Sequence, residues 1–249
     1  IHSFPTRRSS DLVAYFEAIL SLILLVLNHH HVIRGEGFNQ KVFFRLFSTM
    51  LHEFNVVAPQ FSEADRNQFY QVFADAFLKL QPSRYPGFVF AWVGLISHRD
   101  FMPHMFRLQH QSGWEPLVQL LECLMLYLGE LLKQLHIPPV TKDIYHGAIK
   151  VLVVLHHDYP EFLSGNHVRL CAAIPPHCIQ LHNMILTSGP SAFSKMPDPL
   201  QAGLKIDRVE DIREPPSVTF NTEAPLKEAG LLDLVDRSEE RRVGKECME

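Results

Sequence analysis

A hydrophobic period of about 3.6 residues runs through nearly the whole chain, and it leaves few folds open. Across residues 115–135 one broad stripe collects Leu117, Leu120, Leu121, Leu124, Leu128, Leu131 and Leu135. Pro116 stands in the first turn, where a missing N–H costs nothing, and Pro138 and Pro139 follow the end. Ser62 ahead of Asp65 resembles a capping box with Asp in place of Glu. Phe69, Val72, Phe73, Ala76, Phe77 and Leu80 then fall on one helix face before Pro82 closes it. Further helices are expected at about residues 40–57, 87–98, 103–110, 142–157, 167–173 and 176–187, each bounded by Pro, Gly, Asn or Ser. The one strand-like run, IKVLVVL (residues 149–155), continues the period of Ile144 and Ala148 and is read as buried helix.

Helices of this length joined by short turns, with no set of strands, predict antiparallel helix pairs. No fixed-period repeat is visible, so the expected fold class is all-α, an α-solenoid of degenerate helical repeats. The texture changes from Thr187 to about Pro225, where Pro190, Pro197, Pro199, Pro215, Pro216 and Pro225 break any long helix and predict an extended arm. The apolar run AILSLILLVL (residues 18–27) lies between Glu17 and Asn28. A spanning helix needs about 20 mostly apolar residues, so this run is read as a buried core helix with no membrane partner.

The two ends stand apart. HSFPTRRSSDL (residues 2–12) and RSEERRVGKEC (residues 237–247) are encodable by opposite strands of one DNA segment. Residues 1–12 and 237–249 are therefore expected to be translated adapter sequence outside the fold. The expected organisation is a helical-repeat domain over 13–187, incomplete at both ends, followed by a Pro-rich arm and the start of a further helical part over 188–236.

Composition narrows the chemistry. At 249 residues and 47% hydrophobic content the chain is long enough for a sizeable core. A net charge of -4 without a Lys/Arg block gives no electrostatic footprint for nucleic acid, so no direct nucleic-acid contact is expected. Cys123, Cys171, Cys178 and Cys247 form no C-x-x-C pair and predict a reducing compartment.

The densest chemistry lies in HHDYPEFLSGNHVRLCAAIPPHCIQLHN (residues 156–183). Cys178 and His182 are spaced i, i+4, with His177 adjacent and Cys171, His156 and His157 on neighbouring segments. A metal-dependent helical hydrolase centred on His156, His157, Cys178 and His182 is the alternative this stretch raises. The tight ligand pairs of structural zinc sites are missing, Asp158 before Pro160 reads as a turn or cap, and Pro175-Pro176 reads as a helix start. There is no G-x-S-x-G elbow, and Ser188-Gly189-Pro190 reads as a turn; no phosphate-cradling glycine motif occurs either. No catalytic, cofactor or metal residue is therefore assigned. Phe88, Phe90, Trp92, Phe101, Phe106 and Trp114 crowd a short span that offers the apolar anchors a peptide-binding groove needs, with ordinary core packing as the default for each. Phe101, Met102 and Met105, beside a proline and charged residues, are singled out as a partner-binding surface.

Five ordered blocks carry a resemblance. They are PGFVFAWVGLISHRDFMP (86–103), VLVVLHHDYPEFL (151–163), IPPHCIQLHNMIL (174–186), MPDP (196–199) and LKID (204–207). Together they resemble the C-terminal domain of the large scaffold subunit of the eukaryotic Ccr-Not mRNA deadenylase complex, over most of residues 38–216. The stretch from Val13 to about Val57 corresponds only at the level of helices. The resemblance implies an all-α, HEAT-like domain without catalytic activity or cofactor. It implies docking of the smaller NOT-box subunits and, in some lineages, of short linear motifs of RNA-binding repressors. The implied setting is mRNA deadenylation, mRNA decay, translational repression and transcription regulation, in cytoplasm and nucleus. The family domain continues beyond the point where this chain reads DRSEERRVGKEC, so an uncovered apolar face on the last helix and low thermal stability are expected.

Overall fold

The helices form where the apolar period and the caps place them. In a computed structural model, which describes residues 6–134, 136–188 and 223–238, ten helices occupy the unit ending at Ser188. They are α1 (Thr6–Arg34), α2 (Gln40–Val57), α3 (Glu63–Lys79), α4 (Val89–Ile96), α5 (Met102–Arg107), α6 (Trp114–Leu132), α7 (Pro139–Asp158), α8 (Pro160–Gly165), α9 (His167–Ala172) and α10 (Ile179–Leu186). No strand occurs among the described residues.

Local chemistry explains the starts. Asn39 accepts from the Lys41 amide at 3.1 Å, and Ser62 Oγ accepts from the Asp65 amide at 3.2 Å while its hydroxyl donates to Asp65 Oδ2 at 2.6 Å. Pro139 begins α7 from the first turn, three residues before the expected boundary. Two other boundaries move as well. The helix expected over 103–110 stops at Arg107 because Leu108 turns extended and His110 and Gln111 take positive φ angles of 53° and 56°. The helix expected from Pro176 begins only at Ile179, since Cys178 sits outside the helical region at φ -83° and ψ 60°.

The helices stack in two layers, as repeat proteins do. α1, α3, α6 and α9 lie side by side in one layer, and α2, α4, α7 and α10 in the other, with α3 against α4, α4 against α6, α6 against α7 and α9 against α10 across the middle. This is the expected all-α helical-repeat architecture. The core between layers is aromatic at one end: Phe47, Phe77, Phe88 and Trp92 are fully buried, with Phe47 and Phe77 edge to face at 5.9 Å. At the other end Phe106 stacks on Tyr159 at 3.7 Å, and Trp114 meets Phe162 edge to face. Arg169 bridges α9 to α6 by donating to both oxygens of Glu115 and to Glu122 at 2.9 to 3.0 Å.

One glycine is required by close approach. A Cβ at Gly113 would fall inside the Met105 carbonyl group, so the chain passes from α5 into α6 only without a side chain there.

α1 departs from the expected buried core helix. Leu20 and Leu27 are buried and Phe16 packs edge to face on Phe69 and Phe73 of α3, but Tyr15, Leu22, Leu25, Val26, Val32 and Ile33 face outward. The apolar run itself has ten residues, but the helix that holds it is longer: the 27 residues from Asp11 to Gly37 are long and apolar enough to cross a membrane, with 11% of the most apolar window buried. The helix is thus packed along one stripe only. Val13 also packs against the core, and the helix begins at Thr6.

A second unit spans Gly189–Glu249. Its described part holds α11 (Glu223–Glu228), a turn through Gly230 at φ 66°, and a further helical segment at 232–238. The predicted Pro-rich arm lies largely outside the described residues, as do residues 1–5, Leu135 and 239–249.

Candidate protein-docking groove

α4 and α7 run beside each other in the second layer, and their outward surfaces leave a groove of about 410 Å³. Val89, Met102, Ile144 and Val151 form its buried floor, while Phe90 (44% exposed) and Val154 (40% exposed) stand at its rim with Asp143 and Lys150. Gly147 keeps the α7 side open, since a Cβ there would meet only Val93 Cγ1 at 3.8 Å. Elsewhere in this layer Val42, Leu46, Val153, Ile179 and Leu186 are also exposed. An apolar concavity with one acidic and one basic side chain at its edge is chemistry for holding apolar side chains of another protein.

The residues singled out from sequence sit deeper than expected. Phe101 and Met105 are 0% exposed and Met102 is 6% exposed. Phe101 meets Phe77 edge to face at 5.1 Å. As surface anchors Phe101 and Met105 are therefore corrected to core residues, and only Met102 borders the groove. The cause is the turn before α5. The amides of Phe101 and Met102 both donate to the His98 carbonyl at 2.9 and 3.0 Å, which swings the apolar side chains inward.

The charged neighbour that made these residues look exposed is itself internal. Asp100 is 8% exposed and accepts from Asn55 Nδ2 at 3.3 Å, with His52 Nδ1 at 3.4 Å. Its amide donates to His98 Nδ1 at 3.2 Å, which fixes that imidazole as the tautomer protonated on Nε2, donating to Ser48 Oγ at 2.8 Å. Burial, only partly countered by Asp100, holds the His98 pKa below the ordinary imidazole value. This network locks the α4–α5 turn onto α2.

The histidine-rich stretch is dispersed among separate partners. Ser188 Oγ donates to the Met184 carbonyl at 3.1 Å and receives His156 Nδ1 at 2.7 Å. His157 Nδ1 pairs with Asp158 at 2.6 Å, and His182 Nδ1 donates to the Cys178 carbonyl at 3.1 Å. Burial raises the Cys178 and Cys171 thiols above their ordinary pKa, away from the thiolate a metal or nucleophile needs. Among the described residues no three His, Cys, Asp or Glu side chains converge as a metal set. The four residues of the hydrolase alternative are thus not brought together.

Of the rim residues, Val154 was not singled out from sequence, and Phe90 was named in the aromatic span but left to core packing by default. The α4 segment VFAWVGLI is apolar on every side, so no period marks the exposed one.

Comparison with known proteins agrees with this architecture. Residues 51–249 match the family model described as CCR4-Not complex component, Not1. General negative regulator of transcription subunit 1 of Saccharomyces cerevisiae is 33% identical over 219 residues, covering 83% of this chain and 10% of that protein. Its Schizosaccharomyces pombe counterpart is 34% identical over 220 residues, covering 88% and 10%. The chain spans about a tenth of the length of these curated relatives. The solved NOT1 superfamily homology domain from Chaetomium thermophilum superposes with a TM-score of 0.83 at 43% identity, over 92% of this chain and 45% of that one. A Not1 C-terminal domain solved in complex with Not4 superposes with a TM-score of 0.68 at 31% identity, over 84% and 42%. With a family model covering most of its length and relatives of this identity, the chain belongs to the Not1 family.

Proposed function

We propose that this chain is a non-catalytic segment of a CCR4-Not scaffold that docks the smaller NOT-box subunits. The setting is mRNA deadenylation, mRNA decay, translational repression and transcription regulation, in cytoplasm and nucleus. The observation that carries the reading is the apolar groove between α4 and α7, rimmed by Phe90 and Val154 and floored by buried side chains of both helices. Apolar anchors seated in such a groove supply association energy, and short linear motifs of RNA-binding repressors present the same kind of anchor. The outer stripe of α1 is read as a further protein-facing surface and not as a membrane span, because its inner stripe is committed to α3. No direct nucleic-acid contact and no cofactor enter this role. Calorimetric titration of the 249-residue chain with each NOT-box subunit tests it. Saturable binding with a Kd of about 10 µM or tighter is expected, and absence of heat at protein concentrations of about 100 µM rejects the role.

A further inference from the structure

On the opposite side of α5 from the apolar groove lies a second concavity of about 350 Å³, between the end of α2, the first turns of α3 and α5. Its chemistry differs. Arg66 and Arg107 line it together with Asn55, Asn67 and Glu63. The arginines held in ion pairs among the described residues are Arg99 and Arg169, so neither guanidinium here is neutralised by a carboxylate. Beneath them Tyr70, 2% exposed, stacks on His104 with ring centroids 5.2 Å apart. The Tyr70 hydroxyl and His104 Nδ1 are buried without a hydrogen-bond partner. Buried polar atoms are almost always paired, so two orphans under two unpaired guanidiniums mark a place built for something polar.

We propose that this concavity is a second docking site, which takes an acidic side chain of a peptide segment between Arg66 and Arg107 and gives the Tyr70 hydroxyl its missing partner. The inference rests on the scaffold reading and adds the chemistry of one class of partner. Charge selects a carboxylate over a dianion. Asp100 behind the wall is already engaged by Asn55, His52 and Arg99, and the lining itself carries two arginines against the one carboxylate of Glu63, with which neither is paired, a surplus of one positive charge. Guanidinium forks hold carboxylates through paired charge-assisted bonds, and loss of either fork is felt directly.

Selection of random twelve-residue peptides on the full chain tests the site, with Arg66→Glu/Arg107→Glu and Tyr70→Phe as comparison proteins and twelve-nucleotide oligouridylate as a separate probe. Enrichment of Asp- or Glu-bearing peptides is expected, with affinity falling at least about tenfold on the double variant and weakening with salt. Tyr70→Phe is expected to weaken those peptides several-fold while the melting temperature holds or rises, because an unsatisfied hydroxyl has been removed. Three outcomes overturn the site: no enrichment, enriched peptides that ignore the double variant, or oligouridylate that binds through the same arginines more tightly than any peptide. Undiminished binding of NOT-box subunits by the double variant leaves the scaffold role standing when this site fails.

Discussion

The indole Nε1 of Trp92 donates to the carbonyl oxygen of Phe77 at 2.7 Å, with both side chains fully buried. The bond joins α4 of one layer to the last turn of α3 in the other, where the same carbonyl also accepts from the Leu80 amide at 3.1 Å. Trp92→Phe keeps an aromatic ring but forfeits the bond and leaves a cavity. A loss of about 2 to 4 kcal/mol is expected from urea denaturation, since both costs are paid at once. A loss below about 1 kcal/mol means the two layers are held together elsewhere.

Two glycines, one at the N-cap of α6 and one inside α7, are expected to respond in opposite directions. Gly113→Ala drives a methyl into the Met105 carbonyl, which is backbone and cannot step aside, so destabilisation above about 2 kcal/mol is expected. Gly147→Ala in α7 meets only a Val93 methyl at van der Waals distance and removes a helix-interior glycine. Stabilisation by about 0.5 to 1 kcal/mol follows from helix propensity. Melting both variants beside the parent chain decides the pair.

Acid is expected to loosen the α4–α5 turn. Burial holds His98 below the ordinary imidazole pKa, and burial aided by Arg107 does the same to His104, Asp100 opposing both. The unfolded chain takes up these protons near pH 6.5, and the folded chain only at lower pH. More protons are then bound to the unfolded state, so stability from this pair is complete above about pH 6.5 and is lost as pH falls below it. Two such groups contribute a slope of at most about 2.7 kcal/mol per pH unit. His104→Phe keeps the stack on Tyr70 and is expected to flatten the difference between denaturation at pH 7.5 and at pH 5.5. An unchanged slope would remove His104 from the account.

What was legible in the sequence was set by period and caps. The helix over residues 40–57 and the Ser62 cap appear as read, because Phe43, Phe47, Leu51 and Phe54 repeat on one face and a side-chain oxygen stands ready to receive an amide. The outward face of α1 was not legible, since an apolar run carries no mark of which stripe finds a neighbour. Phe101 and Met105 were misplaced for a related reason. Arg99 and Asp100 look like solvent-facing charges in one dimension, yet in three Asp100 is turned inward by His52, His98 and Asn55, residues brought from α2 and the end of α4. The concavity at Arg66 and Arg107 joins residues 41 positions apart, a distance over which no local pattern informs.

The groove between α4 and α7 makes the most direct demand on function. Phe90 and Val154 are about half exposed, so replacing them with charges disturbs the core little, whereas a docked apolar anchor would face a desolvated carboxylate. Phe90→Glu with Val154→Glu is expected to shift the melting temperature by no more than about 2 °C. Affinity for the NOT-box subunits is expected to fall at least about tenfold, or about 1.4 kcal/mol. Met102→Ala, at the floor, provides the contrast: as a buried residue it is expected to cost about 2 kcal/mol of stability and to weaken binding only indirectly. Calorimetric titration beside thermal melts separates the two. If the double glutamate variant binds as the parent does, this groove is not where those subunits dock, and the contact must be sought on the exposed stripe of α1 or on α10.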